Sequence, residues 1–221
     1  MTTSTPEKSL PPLPRFSHLS DYEEWATRDW VHTPGSLEAQ EHARAKFDEE
    51  IHELIAAISD GIPEEIGSEA GDVIWTAAAT GSNAGITITE SLQSVFPGYF
   101  RPQEHITLGA IDEIASNLLA GTDLETVIKY LQNCERVLGK KANLWFKLGG
   151  TVNSPERTFA DGWLKSNRVD AVNALARTTL LVTYIAHQYA GKTIEAILNE
   201  NRQKIEQRLS DGKEVTRPPR S

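Results

Sequence analysis

The chain of 221 residues, 39% of them hydrophobic, is long enough for one sizeable domain or two small, closely packed ones. Its formal net charge of −9 excludes the basic face that holds a nucleic-acid polymer, though not a free nucleotide bound through a divalent ion. The lone cysteine, Cys134 in "YLQNCERVL", cannot form an internal disulfide and reads as a packed helical thiol.

Residues 1–17, with Pro11, Pro12 and Pro14, read as a flexible arm without an apolar signal core. A first helix starts near "LSDYEEW" with Ser20 or Asp21 as cap, and "HTPGS" breaks it. A second runs from about 37 to 58 and stops at "SDGIP"; a third starts at Pro63 and continues to about Asn83, before Gly85. "TITESLQSV" follows as a short helix, with "GITIT" also open to a strand reading, and "FPGYFRPQ" is a break. "HITLGAIDEIASNLLAG" and "DLETVIKYLQNCERVLGKK" are helical, the latter capped by Thr122 or Asp123. "KLGGTVNSPERTFADG" reads as a long loop, and helices resume over about 168–189 and 193–209 before a polar tail, 213–221. The most apolar run, Leu175 to Ala186, is short of the roughly 20 residues that cross a bilayer. The expectation is an all-α chain, 18–212 forming a single domain, located in the cytoplasm and without a membrane partner.

"AGITITESL" from Ala84 and "AGKTIEAIL" from Ala190 are identical at five of nine positions. Each follows an apolar helix of similar character, which points to a duplicated helical hairpin; two unrelated helices with a common G-x-T-I start remain the alternative.

The acids of the second and third helices are unevenly distributed. At about 100° per residue, Phe47, Ile51, Leu54, Ile55 and Ile58 form one face, with Lys46, Glu50 and Glu53 on a stripe beside it. The third helix is apolar or small around most of its circumference, and its polar residues Glu65, Glu69, Asp72, Thr76 and Asn83 share one narrow strip. A short turn makes the two helices antiparallel, which can set Glu50 and Glu53 opposite Glu69 and Asp72. Four unpaired carboxylates at close range destabilise a fold unless a hard divalent cation joins them; a solvated acidic seam is the other reading. Glu49 and His52 form the E-x-x-H of di-iron bundles, but no second E-x-x-H exists and Glu49 lies off the stripe.

The pattern E-x-x-E, gap, E-x-x-D, set between "K...EEIHEL" and "GDVIW", resembles the MazG-like nucleoside triphosphate pyrophosphohydrolases, an all-α superfamily that includes the dimeric helical dUTPases. "DYEEWATRDW" is similar to the first helix of some members, and "ILNENRQKIEQRLSDG" to a C-terminal N-x-x-K-x-x-x-R element, here Asn201, Lys204 and Arg208. The resemblance covers about 20–92 and 170–212 and leaves 93–169 as an insertion or linker.

It implies a MazG-like bundle with Mg²⁺ as cofactor (Mn²⁺ the alternative ion) held by Glu50, Glu53, Glu69 and Asp72, which also act in catalysis. It further implies hydrolysis of a nucleoside triphosphate to monophosphate and pyrophosphate, with Lys46, Asn83, Asn201, Lys204 and Arg208 contacting substrate. Trp30 and Trp75 are candidates to stack on a base, with aromatic core the better reading of Trp75. In a duplicated chain, Leu175 and Thr178 would replace Glu69 and Asp72, leaving one live acidic site completed by the second half. A catalytically degenerate scaffold that binds a nucleotide or protein is the competing function. Base preference is open, as is whether the pseudo-dimer stays a single chain or forms a homodimer.

Overall fold

A computed structural model describes residues 14–28, 36–149 and 157–212. The fold is all-α. In chain order the helices are α1 (Leu19–Arg28), α2 (Leu37–Asp60), α3 (Pro63–Asn83), α4 (Ile88–Val95), α5 (Leu108–Leu119), α6 (Leu124–Gly149), α7 (Arg157–Ile185) and α8 (Ile194–Ser210). A π-helical turn, Ala186–Ala190, extends α7. Among the described residues the only β pairing is an isolated bridge, His18 to Thr107. No helix of these is long and apolar enough to cross a membrane.

Local chemistry sets most boundaries. Ser36 caps α2 by accepting from the Ala39 amide, and Gly61 closes the helix on Ala57 and Ile58. Pro63 then opens α3, so the hairpin turns within a few residues. Thr87 caps α4, which removes the strand reading of "GITIT". Asp123, not Thr122, caps α6 by accepting from the Thr126 amide at 2.9 Å. Helix α1 begins at Leu19, placing Ser20 and Asp21 inside its first turn, because the Leu19 amide is bonded to the Ile106 carbonyl. The long loop read around 147–162 shrinks, since α6 reaches Gly149 and α7 begins at Arg157. The arm before 14, the tail after 212, and Trp30 lie outside the described residues.

One buried cluster takes side chains from both halves of the chain, Leu54 and Ile74 as well as Leu131 and Leu175. Helix α2 packs along α3, and α6 along α7; α8 lies on α3 and α4 on α7. The two sets of four helices thus repeat each other's neighbours, each fourth helix lying on the other set's third.

The repetition extends to single hydrogen bonds. Across the bridge, the Leu19 amide donates to Ile106 and the Leu108 amide to Ser17. Glu23 of α1 accepts from the first amide of α4, at Ile88, and Asp112 of α5 from the first amide of α8, at Ile194. Gly85 and Gly191 both adopt left-handed φ, 69° and 65°, two residues before the capping Thr87 and Thr193.

The π turn changes the register read from sequence. The Ile86 amide returns to the Gly81 carbonyl, but the Lys192 amide returns to Ala186, one residue further back. The second half thus carries one residue more than the first over this stretch, as single-turn π segments accommodate. Upstream of it the burial patterns agree only with that shift: Ile66–Gly67 and Ala70–Gly71 match Ala171–Val172 and Leu175–Ala176. In that register Ala174 and Arg177, rather than Leu175 and Thr178, align with Glu69 and Asp72 of the first half.

Candidate active site

Helices α2, α3 and α8 converge on one group of acids. An oxygen of each of Glu50, Glu69 and Asp72 lies within 4.8 Å of the others. The α2–α3 hairpin makes this juxtaposition, because an antiparallel pair with a short turn puts Glu50 level with Asp72. Glu53 lies one turn from Glu50 on the exposed side of α2, outside this three-residue group.

The electrostatics of the cluster follow from its enclosure. Burial, then the neighbouring Asp72 and Glu53, pushes the Glu50 carboxyl up to about 7 despite Lys46. Burial and Asp72, with Glu53 and Glu65 contributing, push Glu69 to about 7 against the pull of Lys204. Two carboxyls that give up their protons this reluctantly mark a site short of positive charge. An all-oxygen donor set of this kind suits a hard divalent cation such as Mg²⁺ or Mn²⁺, so the residues fit the implied metal.

Two lysines supply part of that charge. The Lys46 ammonium, 15% exposed, is 3.0 Å from Glu50 and 2.7 Å from Glu49. Burial disfavours its charge, but bonds to Glu49 and Glu50 overcome this and raise its pKa. Lys204 of α8 bonds to Asp72 and donates to the Ser68 hydroxyl at 3.2 Å. Asn201, one turn earlier, donates to the other Asp72 oxygen at 2.6 Å. The second half of the chain therefore reaches the acids of the first.

That reach depends on Gly71. A Cβ there would lie 2.9 Å from the Asn201 Cβ and 3.1 Å from the Ile197 carbonyl oxygen, closer than side chains pack. The Tyr22 hydroxyl of α1 donates to the Asn201 carboxamide oxygen at 3.4 Å. Tyr22, Ser68 and Gly71 carry no signal of this role in the sequence, since nothing in their spacing shows that α1 and α8 meet over α3.

The remaining expected residues are spread more widely. Arg208 stands one turn past Lys204, exposed in the last turn of α8. Asn83 is not brought to the acids: eleven residues along α3 from Asp72, about 16 Å at the helical rise, it donates to the Ala79 carbonyl. Its own carbonyl accepts from Gln40. Trp75 is core, 7% exposed, its indole N–H bonded to the Ala26 carbonyl. Glu65 is exposed in the first turn of α3. His52 bonds to the Asp48 carbonyl, away from the cluster.

Comparison with known proteins agrees with this geometry. Residues 24–96 match the family model described as Phosphoribosyl-ATP pyrophosphohydrolase. That family hydrolyses pyrophosphate bonds of nucleotides. No curated protein and no solved structure matches the chain. The match spans α2 and α3 entire, with every acid of the cluster. Over this segment, and in its all-helical architecture, the chain is similar to the all-α MazG-like nucleoside triphosphate pyrophosphohydrolase superfamily.

Proposed function

We propose that the chain hydrolyses a nucleoside triphosphate to the monophosphate and pyrophosphate in a Mg²⁺-dependent reaction. The observation that carries this reading is the convergence of Glu50, Glu69 and Asp72 with Lys46 and Lys204 at their edge. Glu50, Glu69 and Asp72 would hold the ion, with Glu53 at the rim as a further oxygen donor. The bound ion supplies neutralisation of phosphate charge and a more acidic water.

The chain's own groups do the rest. Lys204 leaves Asp72 and Lys46 leaves Glu50 to bind phosphate oxygens, and Arg208 meets the outer phosphates at the mouth. Asn201 keeps Asp72 in orientation. A water oxygen attacks the α-phosphorus, the α–β bridging oxygen leaves with pyrophosphate, and a carboxylate of the cluster takes the water's proton.

The domain reading belongs with this proposal: an internal duplication in which α8, from the second copy, completes the site of the first. A non-catalytic scaffold is favoured by one observation, that Lys46 and Lys204 already offset two of the carboxylates without a metal. Incubation with a panel of NTPs and dNTPs, phosphoribosyl-ATP included, with and without Mg²⁺, separates the two readings. Metal-dependent pyrophosphate release that Asp72→Asn abolishes is the expected result. No release from any substrate would leave the scaffold.

A further inference from the structure

The second copy has lost its acids and gained a cavity. Arg177 occupies the position of Asp72 and Ala174 that of Glu69, so the charge there is reversed. Val95, the last residue of α4, and Gly98, beyond its end, take the places that Asn201 and Lys204 hold on α8. The changes are consistent with one another: once the carboxylates are gone, the groups that serve them are gone too.

Beside Arg177 lies a pocket of about 310 Å³, walled by Phe96, Leu119, Leu180 and Leu181, with Cys134 and Asn133 on the α6 side. Its origin is legible from the repeat. Leu180 stands where the first copy has Trp75, and Trp75 is buried in the core with its indole N–H tied to a carbonyl. The second copy therefore has space where the first has a bicyclic aromatic ring. Leu118 and Tyr130, 41% and 54% exposed, form the open rim. Among the described residues Arg177 has no ion pair, so an apolar slot ends at an uncommitted guanidinium.

We infer that this pocket is a metal-independent binding site for a purine nucleoside monophosphate, the base in the slot left by the missing indole and the phosphate on Arg177. An Arg meets a phosphate directly through paired N–H donors, where the ancestral acids needed a metal between. The choice of a nucleotide rests on the nucleotide reading of the first site, of which this ligand is a product. The site itself goes beyond that reading, because it holds ligand without catalysing.

The test is isothermal titration of the full chain with AMP and GMP in EDTA, where the acidic site lacks its ion. Wild type should bind one monophosphate per chain. Arg177→Glu should weaken binding by about tenfold or more, and Leu180→Trp, which restores the ring of the first copy, should abolish it. Adenosine should bind more weakly than AMP. Absence of binding by wild type in EDTA would overturn the inference. So would equal affinity in both variants, or inorganic phosphate binding as well as AMP. Mg²⁺-dependent pyrophosphate release, assayed separately, distinguishes failure of the first site from failure of this one: binding in EDTA without turnover counts against the proposed reaction and for the second site.

Discussion

Replacing Glu50 by Gln should stabilise the metal-free protein at pH 8 and have little effect at pH 5. The Glu50 carboxyl is 8% exposed, and its pKa rises from 4.5 to about 7 on folding. Between those values the folded chain keeps a proton that the unfolded chain has lost. Stability is therefore full below the unfolded value and falls as pH rises through 7. At about 1.4 kcal/mol per tenfold in proton affinity, the cost is about 3 kcal/mol above pH 7. Gln removes that cost, and the attraction of Lys46 for the ionised carboxylate is already contained in it. Lys46 retains Glu49 at 2.7 Å. A gain of about 3 kcal/mol corresponds to about 6–12 °C for a chain of this size. Thermal melts of both proteins in EDTA at pH 5 and pH 8 measure it, and with Mn²⁺ the order should reverse because the variant lacks a ligand. A variant that melts below wild type at pH 8 in EDTA, or gains equally at both pH values, would refute the reasoning.

Lys204→Ala should lower kcat by about a hundredfold while leaving the fold intact, read by steady-state kinetics beside circular dichroism. Gly71→Ala should push α8 from α3, costing about 1–3 kcal/mol in urea unfolding and weakening Mn²⁺ binding in a titration. Glu23→Ala and Asp112→Ala should each cost about 1–2 kcal/mol in the same unfolding assay, since each removes a carboxylate from the start of a helix. A cost at only one of them would argue against equivalent roles in the two copies.

The parts of the architecture legible in sequence are those governed by neighbours along the chain. Pro63, Gly61 and Thr193 mark helix ends whose capping is local, and the spacing of Glu50, Glu69 and Asp72 follows from helical period plus a short turn. Lys204 and Asn201 are reached by resemblance alone; their contact with Asp72 depends on α8 crossing from the other half. Asn83 shares the polar stripe of α3 but lies too far along it, because a stripe specifies direction around a helix and not distance along it. The register of the repeat differs by one residue from the sequence reading because a π turn has no signature in "AHQYA". Leu175 is in fact a core residue packed against Gly81, whose missing Cβ would lie 2.8 Å from the leucine Cδ2.

The most direct test of the central claim is a ³¹P NMR time course of the preferred triphosphate with the purified protein and Mg²⁺. The account predicts monophosphate and pyrophosphate appearing together, in equal amounts, with no diphosphate, and no products when EDTA replaces Mg²⁺ or when Asp72 is Asn. Diphosphate with inorganic phosphate, or turnover that persists in EDTA, would contradict it.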